Sequence, residues 1–168
     1  TGMGNIEEVR QALAVLAFGF VRSTVPTGDT FWEPFESSDG QRALRDRVVL
    51  LHCTTEYPAA LDNVNVRAMS TLRDTFGLRV GYSDHSKGLQ VSCIAAAIGA
   101  AVIEKHFTLD CNLPGPDHCA SLEPDELKQL VESIRSTEVI LGDGVKVAIG
   151  PEISNRNIAR KSLVAAKK

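Results

Sequence analysis

The stretch "LRVGYSDHS", Leu78 to Ser86, joins a short apolar run to a cluster of polar side chains. An apolar run of this length with a β-branched residue is typical of a buried strand. Ser83, Asp84 and His85 then fall where that strand ends. The segments "VVLLHC" (48–53) and "AVIEKHFTL" (101–109) repeat the pattern, each with polar residues at its end. We therefore predict three strands that carry the functional groups at their carboxyl ends.

Amphipathic segments alternate with these strands. "GNIEEVRQALAVLA" (4–17) has an N-cap candidate, Asn5, with Glu8 three residues on. Its apolar residues Ile6, Val9, Leu13 and Leu16 share one face. The further predicted helices are "NVNVRAMSTLRDTFG" (63–77), "GLQVSCIAAAIGA" (88–100) and a segment marked by Leu127, Leu130, Val131, Ile134 and Leu141. Strand–helix alternation with single crossovers predicts an α/β fold with parallel strands.

Two segments lack a clear periodic spacing of apolar residues. Residues 18–47 hold prolines, glycines and most of the aromatic residues, which predicts a long irregular excursion with a short helix near 41–45. Residues 145–168 are interpreted as a linker that follows a partial domain over 1–144. Within that domain, both a (β/α)₈ barrel and a doubly wound sheet would place ligands at the carboxyl ends of the strands. Neither a GxGxxG nor a P-loop motif follows a strand.

Composition limits the class of protein. The 168 residues carry a net charge of -3 and scattered basic side chains, so no nucleic-acid partner is expected. No apolar run approaches the roughly 20 residues that span a bilayer, so no membrane contact is expected. The four cysteines show no CxxC spacing, which indicates a reduced, cytoplasmic protein without a structural zinc site. The start "TGMG" lacks an initiator Met, which predicts that part of the protein precedes it.

The alternation of side chains along a strand makes the prediction of a site more specific. Ser83 and His85 share one face of their strand, and Glu104 and His106 share one face of the next. If both faces turn the same way, two imidazoles converge. Such a pair suits a divalent ion such as Mn²⁺, Zn²⁺ or Fe²⁺. The alternative is that both histidines are hydrogen-bonded structural residues, and residue chemistry by itself leaves the choice open.

Several ordered blocks resemble the sialic acid synthase family. They are "LLHCTTEYPA", "VGYSDHS", "VIEKHFTLD", "PGPDHCASLEPDELKQLV" and "ARKSLVAAK", which together cover nearly the whole chain. The resemblance implies a parallel (β/α)₈ TIM-type barrel, present here as roughly its second half from the end of strand 5 to helix 8. It also implies an antifreeze-like C-terminal domain beyond the linker, and a homodimer in the full-length protein.

The same resemblance implies roles for particular residues. His85 and His106 would hold a divalent metal, typically Mn²⁺. Ser83 would contact phosphoenolpyruvate, Thr55 would face its phosphate and Tyr57 would face the sugar. Asp117 in "PGPDH" would bind the sugar and assist proton movement; from the sequence alone it is equally well a loop carboxylate that accepts from turn amides. Glu104 is interpreted as an orienting group, Asp84 as a packing or capping residue, and Lys87 and Lys105 as ordinary charged residues.

The implied reaction joins phosphoenolpyruvate to an N-acetylated hexosamine and yields a nonulosonic acid and phosphate. The acceptor stays open among N-acetylmannosamine, its 6-phosphate and the deoxygenated diacetamido sugars. In the family the first four strands supply lysines and a glutamate that this segment lacks, so the segment alone is expected to be inactive. The alternative is a non-catalytic module derived from a truncated barrel, for example in spore coat or capsule assembly.

Overall fold

The computed structural model describes residues 1–161 and residue 166. In that part of the chain, one parallel sheet has the order β1-β2-β3, formed by β1 (Val49–Cys53), β2 (Arg79–Asp84) and β3 (Ile103–Lys105). The α-helices are α1 (Ile6–Val21), α2 (Trp32–Glu36), α3 (Ser38–Arg47), α4 (Ala68–Phe76), α5 (Gln90–Ala97), α6 (Pro124–Leu141) and α7 (Gly150–Ala159). Short 3₁₀ turns cover Leu61–Asn63 and His118–Ala120. The α/β class predicted from the alternating pattern is confirmed.

The sheet is built from two strand–helix–strand units. Helix α4 connects β1 to β2, and α5 connects β2 to β3. Leu51 lies opposite Gly81, and Asp84 lies opposite Lys105 at the last position of the second ladder. Because the strands are parallel, all three carboxyl ends lie at one edge.

Helices cover one face of the sheet, and the core lies between them. Leu50, Val80 and Tyr82 point into this layer, and each is at most 7 % exposed. They pack against Leu13, Ala17, Leu44, Met69, Leu72, Val91 and Ala95. The alternate strand residues, among them Gly81 and Ser83, therefore point to the opposite face.

Helix α1 begins as the sequence predicts. The Asn5 side chain accepts from the backbone N–H groups of Glu7 and Glu8, and Glu8 accepts from the Asn5 amide in return. This capping box satisfies N–H groups that a helix start leaves free. The apolar face differs in part from the prediction, since Leu16 is 43 % exposed whereas Phe18 is buried.

Residues 18–47 are largely helical, so the prediction of an irregular excursion was wrong. Helix α1 continues to Val21, and α2 and α3 fill most of the remainder. Ser37 caps α3 by accepting from the amide of Gly40 at 3.1 Å. A Cβ on Gly40 would come within 1.9 Å of the Pro34 carbonyl oxygen. This glycine therefore permits a close helix–helix approach, although in the sequence it resembles a helix breaker.

Other boundaries also differ from the pattern. Strand β1 was expected to be buried on both faces, yet of its residues only Leu50 is buried. Strand β3 has three residues, after which Phe107 forms a single bridge to Leu122. Helix α7 lies inside the predicted linker, where the Ile149 amide donates to the Glu152 carboxylate at 3.0 Å. None of the helices in the described residues is long and apolar enough to cross a membrane.

Candidate functional site

The candidate site lies at the carboxyl edge of the sheet, on the face opposite the helices. Ser83 and His85 reach it from β2 and the turn that follows, and both are less than a tenth exposed. His106 reaches it from the residue after β3. The predicted convergence is confirmed: the His85 and His106 rings have centroids 5.4 Å apart and stand nearly perpendicular.

His85 is held by its surroundings on both sides of the ring. Its Nδ1 lies 2.7 Å from the carbonyl oxygen of Thr54, which can only accept, so Nδ1 carries the proton. Its Nε2 lies 3.3 Å from the Ser83 hydroxyl oxygen. The backbone carbonyl of His85 accepts from Ala59 at 2.9 Å. The ring is thus fixed with the Nε2 lone pair directed to the site face, the arrangement typical of a histidine metal ligand.

Ser83 connects this histidine to an acidic group on the next strand. Its hydroxyl donates to Glu104 Oε1 at 2.5 Å. That donation uses its one proton, so Ser83 does not also donate to His85 Nε2. Glu104, which we interpreted as an orienting group beside His106, orients the Ser83 hydroxyl instead.

Tyr57 closes the site from the loop after β1. Its ring centroid lies 4.3 Å from that of His85 and 5.4 Å from that of His106. The side chain is 46 % exposed, so one side of the ring packs on the histidines while the rest remains open to solvent. A small molecule that enters from the loop side would therefore meet Tyr57 first.

The donor set fits a divalent ion in part. Within the described residues, no group of three or more histidine, cysteine or carboxylate side chains is arranged to hold a metal. Two imidazoles do face each other, and the Nε2 of His85 is oriented. A metal that activates substrate keeps open positions for water and substrate oxygens. The residues present therefore fit an open, substrate-completed site rather than a closed structural one.

Two predicted site residues do not join this cluster through contacts in the described chain. Thr55 is exposed, and it is the neighbouring Thr54 whose carbonyl holds His85. Asp117 is exposed at the start of the 118–120 turn, where its carbonyl accepts from Ala120 and from the Ser121 hydroxyl. Its carboxylate makes no capping hydrogen bond there. The carboxylate is thus left available to solvent or ligand, and its role stays a prediction.

The sequence interpretation missed Lys105. We took it for an ordinary charged residue, but its side chain is only 3 % exposed and its Nζ lies 3.2 Å from Asp84 Oδ2. The available signal was parity, since Asp84 and Lys105 each stand one residue before a predicted site histidine and so point into the helix layer. Tyr82 points the same way; burial, followed by the charge of Asp84, raises its pKa to about 12.

The cysteines form no disulfide in the structure. All four are free thiols in the structure. Cys111 donates to the Ser121 carbonyl, and partial burial together with Glu123 raises the pKa of its thiol. The loop that brings Cys111, His118 and Cys119 close in sequence forms no metal cluster among the described residues.

Known proteins are similar to this chain in both sequence and fold. The model of the NeuB family matches residues 1–146. The chain belongs to the NeuB family. It is 50 % identical over 99 % of its length to an N,N'-diacetyllegionaminic acid synthase of Campylobacter jejuni, of which it covers 43 %. It is 45 % identical over 97 % of its length to the enzyme of that name from Legionella pneumophila, of which it covers 40 %.

A solved structure extends the likeness to three dimensions. The N-acetylneuraminic acid synthetase of Leptospira borgpetersenii superposes with a TM-score of 0.63 at 31 % identity, over 90 % of this chain and 55 % of that one. The chain therefore shares the fold of a sialic acid synthase, and relatives in its family are synthases of nonulosonic acids. It spans less than half the length of the curated relatives it matches.

Proposed function

We propose that this chain is the second half of the (β/α)₈ catalytic barrel of a nonulosonic acid synthase. The complete enzyme condenses phosphoenolpyruvate with an N-acetylated amino sugar and releases inorganic phosphate. The observation that supports this best is the approach of His85 and His106 to a 5.4 Å ring separation at the carboxyl edge of a parallel sheet. That edge is where α/β barrels build their active sites.

His85 and His106 would hold a divalent ion, for which we propose Mn²⁺. When bound, such an ion supplies Lewis-acid polarisation of the sugar aldehyde. The Thr54 carbonyl keeps His85 in the tautomer that presents Nε2. The Ser83 hydroxyl, which donates to Glu104 in the structure, would turn its proton to phosphoenolpyruvate when that substrate binds. Thr55 faces the phosphate in this proposal, and the open part of the Tyr57 ring faces the sugar.

The proposed reaction also requires a proton transfer at the site. C3 of phosphoenolpyruvate attacks the aldehyde carbon, and C2 becomes electron-poor and is captured by water. The C2–O bond to phosphate then breaks, which leaves the keto acid and inorganic phosphate. The water gives up both of its protons, one to the developing alkoxide on the sugar and one to the departing phosphate. Asp117, whose carboxylate makes no capping bond, is our candidate to assist the transfer to the alkoxide. Groups from the rest of the protein complete the phosphate site.

For the acceptor we propose a diacetamido sugar. Two relatives that match almost the whole chain, at 50 % and 45 % identity, are named as N,N'-diacetyllegionaminic acid synthases. Because Tyr57 packs on both histidines and is partly open to solvent, it is placed to contact an acceptor's substituents. We further propose a homodimer for the full-length protein and a cytoplasmic location, as expected from its soluble substrates.

The test is phosphate release by the full-length protein with phosphoenolpyruvate, Mn²⁺ and each candidate sugar. We expect turnover with a diacetamido acceptor, a slower reaction with N-acetylmannosamine, and none without metal or without sugar. Preference for N-acetylmannosamine would overturn the acceptor proposal only. A folded full-length protein that releases no phosphate with any acceptor would overturn the synthase and favour the non-catalytic module.

A further inference from the structure

A buried ion pair lies directly behind the candidate site. Asp84 is the last residue of β2 and Lys105 the last residue of β3, and the two are register partners. Lys105 Nζ lies 3.2 Å from Asp84 Oδ2, with the side chains 3 % and 0 % exposed. A buried lysine–aspartate pair is uncommon because both charges lose their hydration.

Both charges are compensated by further hydrogen bonds. Asp84 Oδ1 accepts from the Ser86 amide at 2.8 Å and from its hydroxyl at 2.7 Å. Asp84 Oδ2 accepts from the Ser92 hydroxyl, in the first turn of α5, at 2.6 Å. Lys105 Nζ also donates to the Ser86 carbonyl. One network thereby joins the ends of β2 and β3, the turn after β2 and the start of α5.

The pair stands where the backbone ladder stops. The β2–β3 pairing ends at Asp84 and Lys105, and the next residues, His85 and His106, take different backbone partners. The His85 carbonyl accepts from Ala59, whereas the His106 carbonyl accepts from Leu122, at 2.9 Å each. The ion pair therefore links the two strands at the point where their backbones stop pairing, directly before the two histidines.

We propose that the Asp84–Lys105 pair sets the separation of His85 and His106. Side chains alternate along a strand, so the pair fixes the two strand ends from the helix side while the histidines project to the site side. A buried ion pair contributes little net stability compared with apolar residues of the same size, but it specifies which groups lie side by side. Asp84 and Lys105 are positioning residues that act through the histidines, and their effect on metal binding rests on the proposed function.

The test compares the full-length protein with three variants. Lys105→Met removes the charge but keeps the length of the side chain, and Lys105→Arg keeps the charge. Arg135→Met is the matched control, because it breaks an ion pair with Glu138 whose side chains are 71 % and 54 % exposed. The measurements are Mn²⁺ affinity by calorimetric titration of the metal-free protein, and crystal structures of the metal-free wild type and Lys105→Met.

In Lys105→Met we expect the two rings to move apart by about 1 Å or to occupy several rotamers, and Mn²⁺ affinity to fall about 10-fold or more. Lys105→Arg should recover most of that affinity, and Arg135→Met should lose none. Unchanged ring positions in a folded Lys105→Met protein would overturn the inference whether or not metal binds. A wild type that binds no Mn²⁺ but whose rings separate in the variant would instead overturn the proposed metal and leave the positioning role standing.

Discussion

At the scale of single residues, the site depends on which atom of each polar side chain is already engaged. His85 uses Nδ1 on the Thr54 carbonyl and so presents Nε2, while Ser83 uses its proton on Glu104. The hydrogen bonds of histidine rings in the described residues involve other histidines, and none involves a ring nitrogen of His106. The ring of His106 faces that of His85 across the site. The two histidines are therefore expected to bind metal as a pair.

Replacement of His85 or His106 by Ala in the full-length protein should abolish metal binding and turnover together. Each change removes an imidazole nitrogen that neither Ala nor a loosely held water replaces, so Mn²⁺ affinity should fall at least about 100-fold. The measurement is metal titration of each purified variant beside its kinetics. His118→Ala serves as control, since His118 bonds Thr108 at 2.7 Å and should leave metal affinity within about twofold of wild type. Unchanged Mn²⁺ affinity in both folded site variants would show that these histidines are structural.

A second residue-scale prediction concerns His52 and pH. Burial lowers the pKa of His52 in the folded protein, a shift that its hydrogen bond to the Val64 carbonyl only partly offsets. The unfolded chain, with an ordinary pKa near 6.5, binds a proton at pH values where the folded protein does not. The stability gained from neutral His52 is therefore present above about pH 6.5 and is lost as pH falls through that value.

Thermal melting of the wild type and a His52→Gln variant, at several values between about pH 5 and pH 8, checks this. The wild type should lose melting temperature faster than the variant on the acid side, because Gln does not titrate. Parallel curves would show that His52 is equally easy to protonate in the folded and unfolded chain.

At the scale of elements, β2 and the chain that leads into β3 approach each other closely at Gly81. A Cβ on Gly81 would come within 2.5 Å of the Val102 carbonyl oxygen, which is backbone and has no rotamer to escape into. Gly19, inside α1, meets nothing within 4 Å. The two glycines thus form a matched pair, one required by packing and one not.

We expect Gly81→Ala to destabilise the full-length protein by about 1–3 kcal/mol through this clash, and to displace β3 and with it His106. Gly19→Ala should instead stabilise it by about 0.5–1 kcal/mol, because alanine orders a helix interior better than glycine. Urea unfolding of both variants measures the difference. Equal stabilities would mean that the strands can separate at no cost.

At the scale of the whole molecule, the described chain leaves apolar side chains partly exposed on the face of the sheet opposite the helices. The site face carries half-buried Leu51, and the strand-end loops expose Phe107 and Leu109 by 50 % and 76 %. The outer edges of β1 and β3 also lack a strand partner in the described residues. Apolar surface and open sheet edges together favour association with another chain or segment.

We therefore expect the segment 1–168, produced by itself, to aggregate or to pair with the remaining part of the protein. Light scattering and thermal melting of the segment, alone and mixed with that part, are the measurements. A monomer that melts cooperatively by itself would contradict the half-barrel and support a self-contained open sheet.

The sequence by itself determined the α/β class and which strand residues share a face, Ser83 with His85 and Glu104 with His106. Those features follow from local periodicity: alternation along a strand assigns faces, and apolar spacing identifies helices, so neighbours in sequence carry the information. The cap at Asn5 is local too, and it lies where the pattern predicts.

Only the tertiary structure decided the helices within 18–47, the engagement of His85 by Thr54 and the burial of Lys105. Each depends on contacts between separate elements of the fold. Gly40 becomes a helix contact only because Pro34 lies against it, and Lys105 becomes a buried cation only because Asp84 is its partner across the sheet. From sequence, a charged side chain is expected to be exposed to solvent, because burial requires a partner of opposite charge. Only the fold shows which residue that partner is.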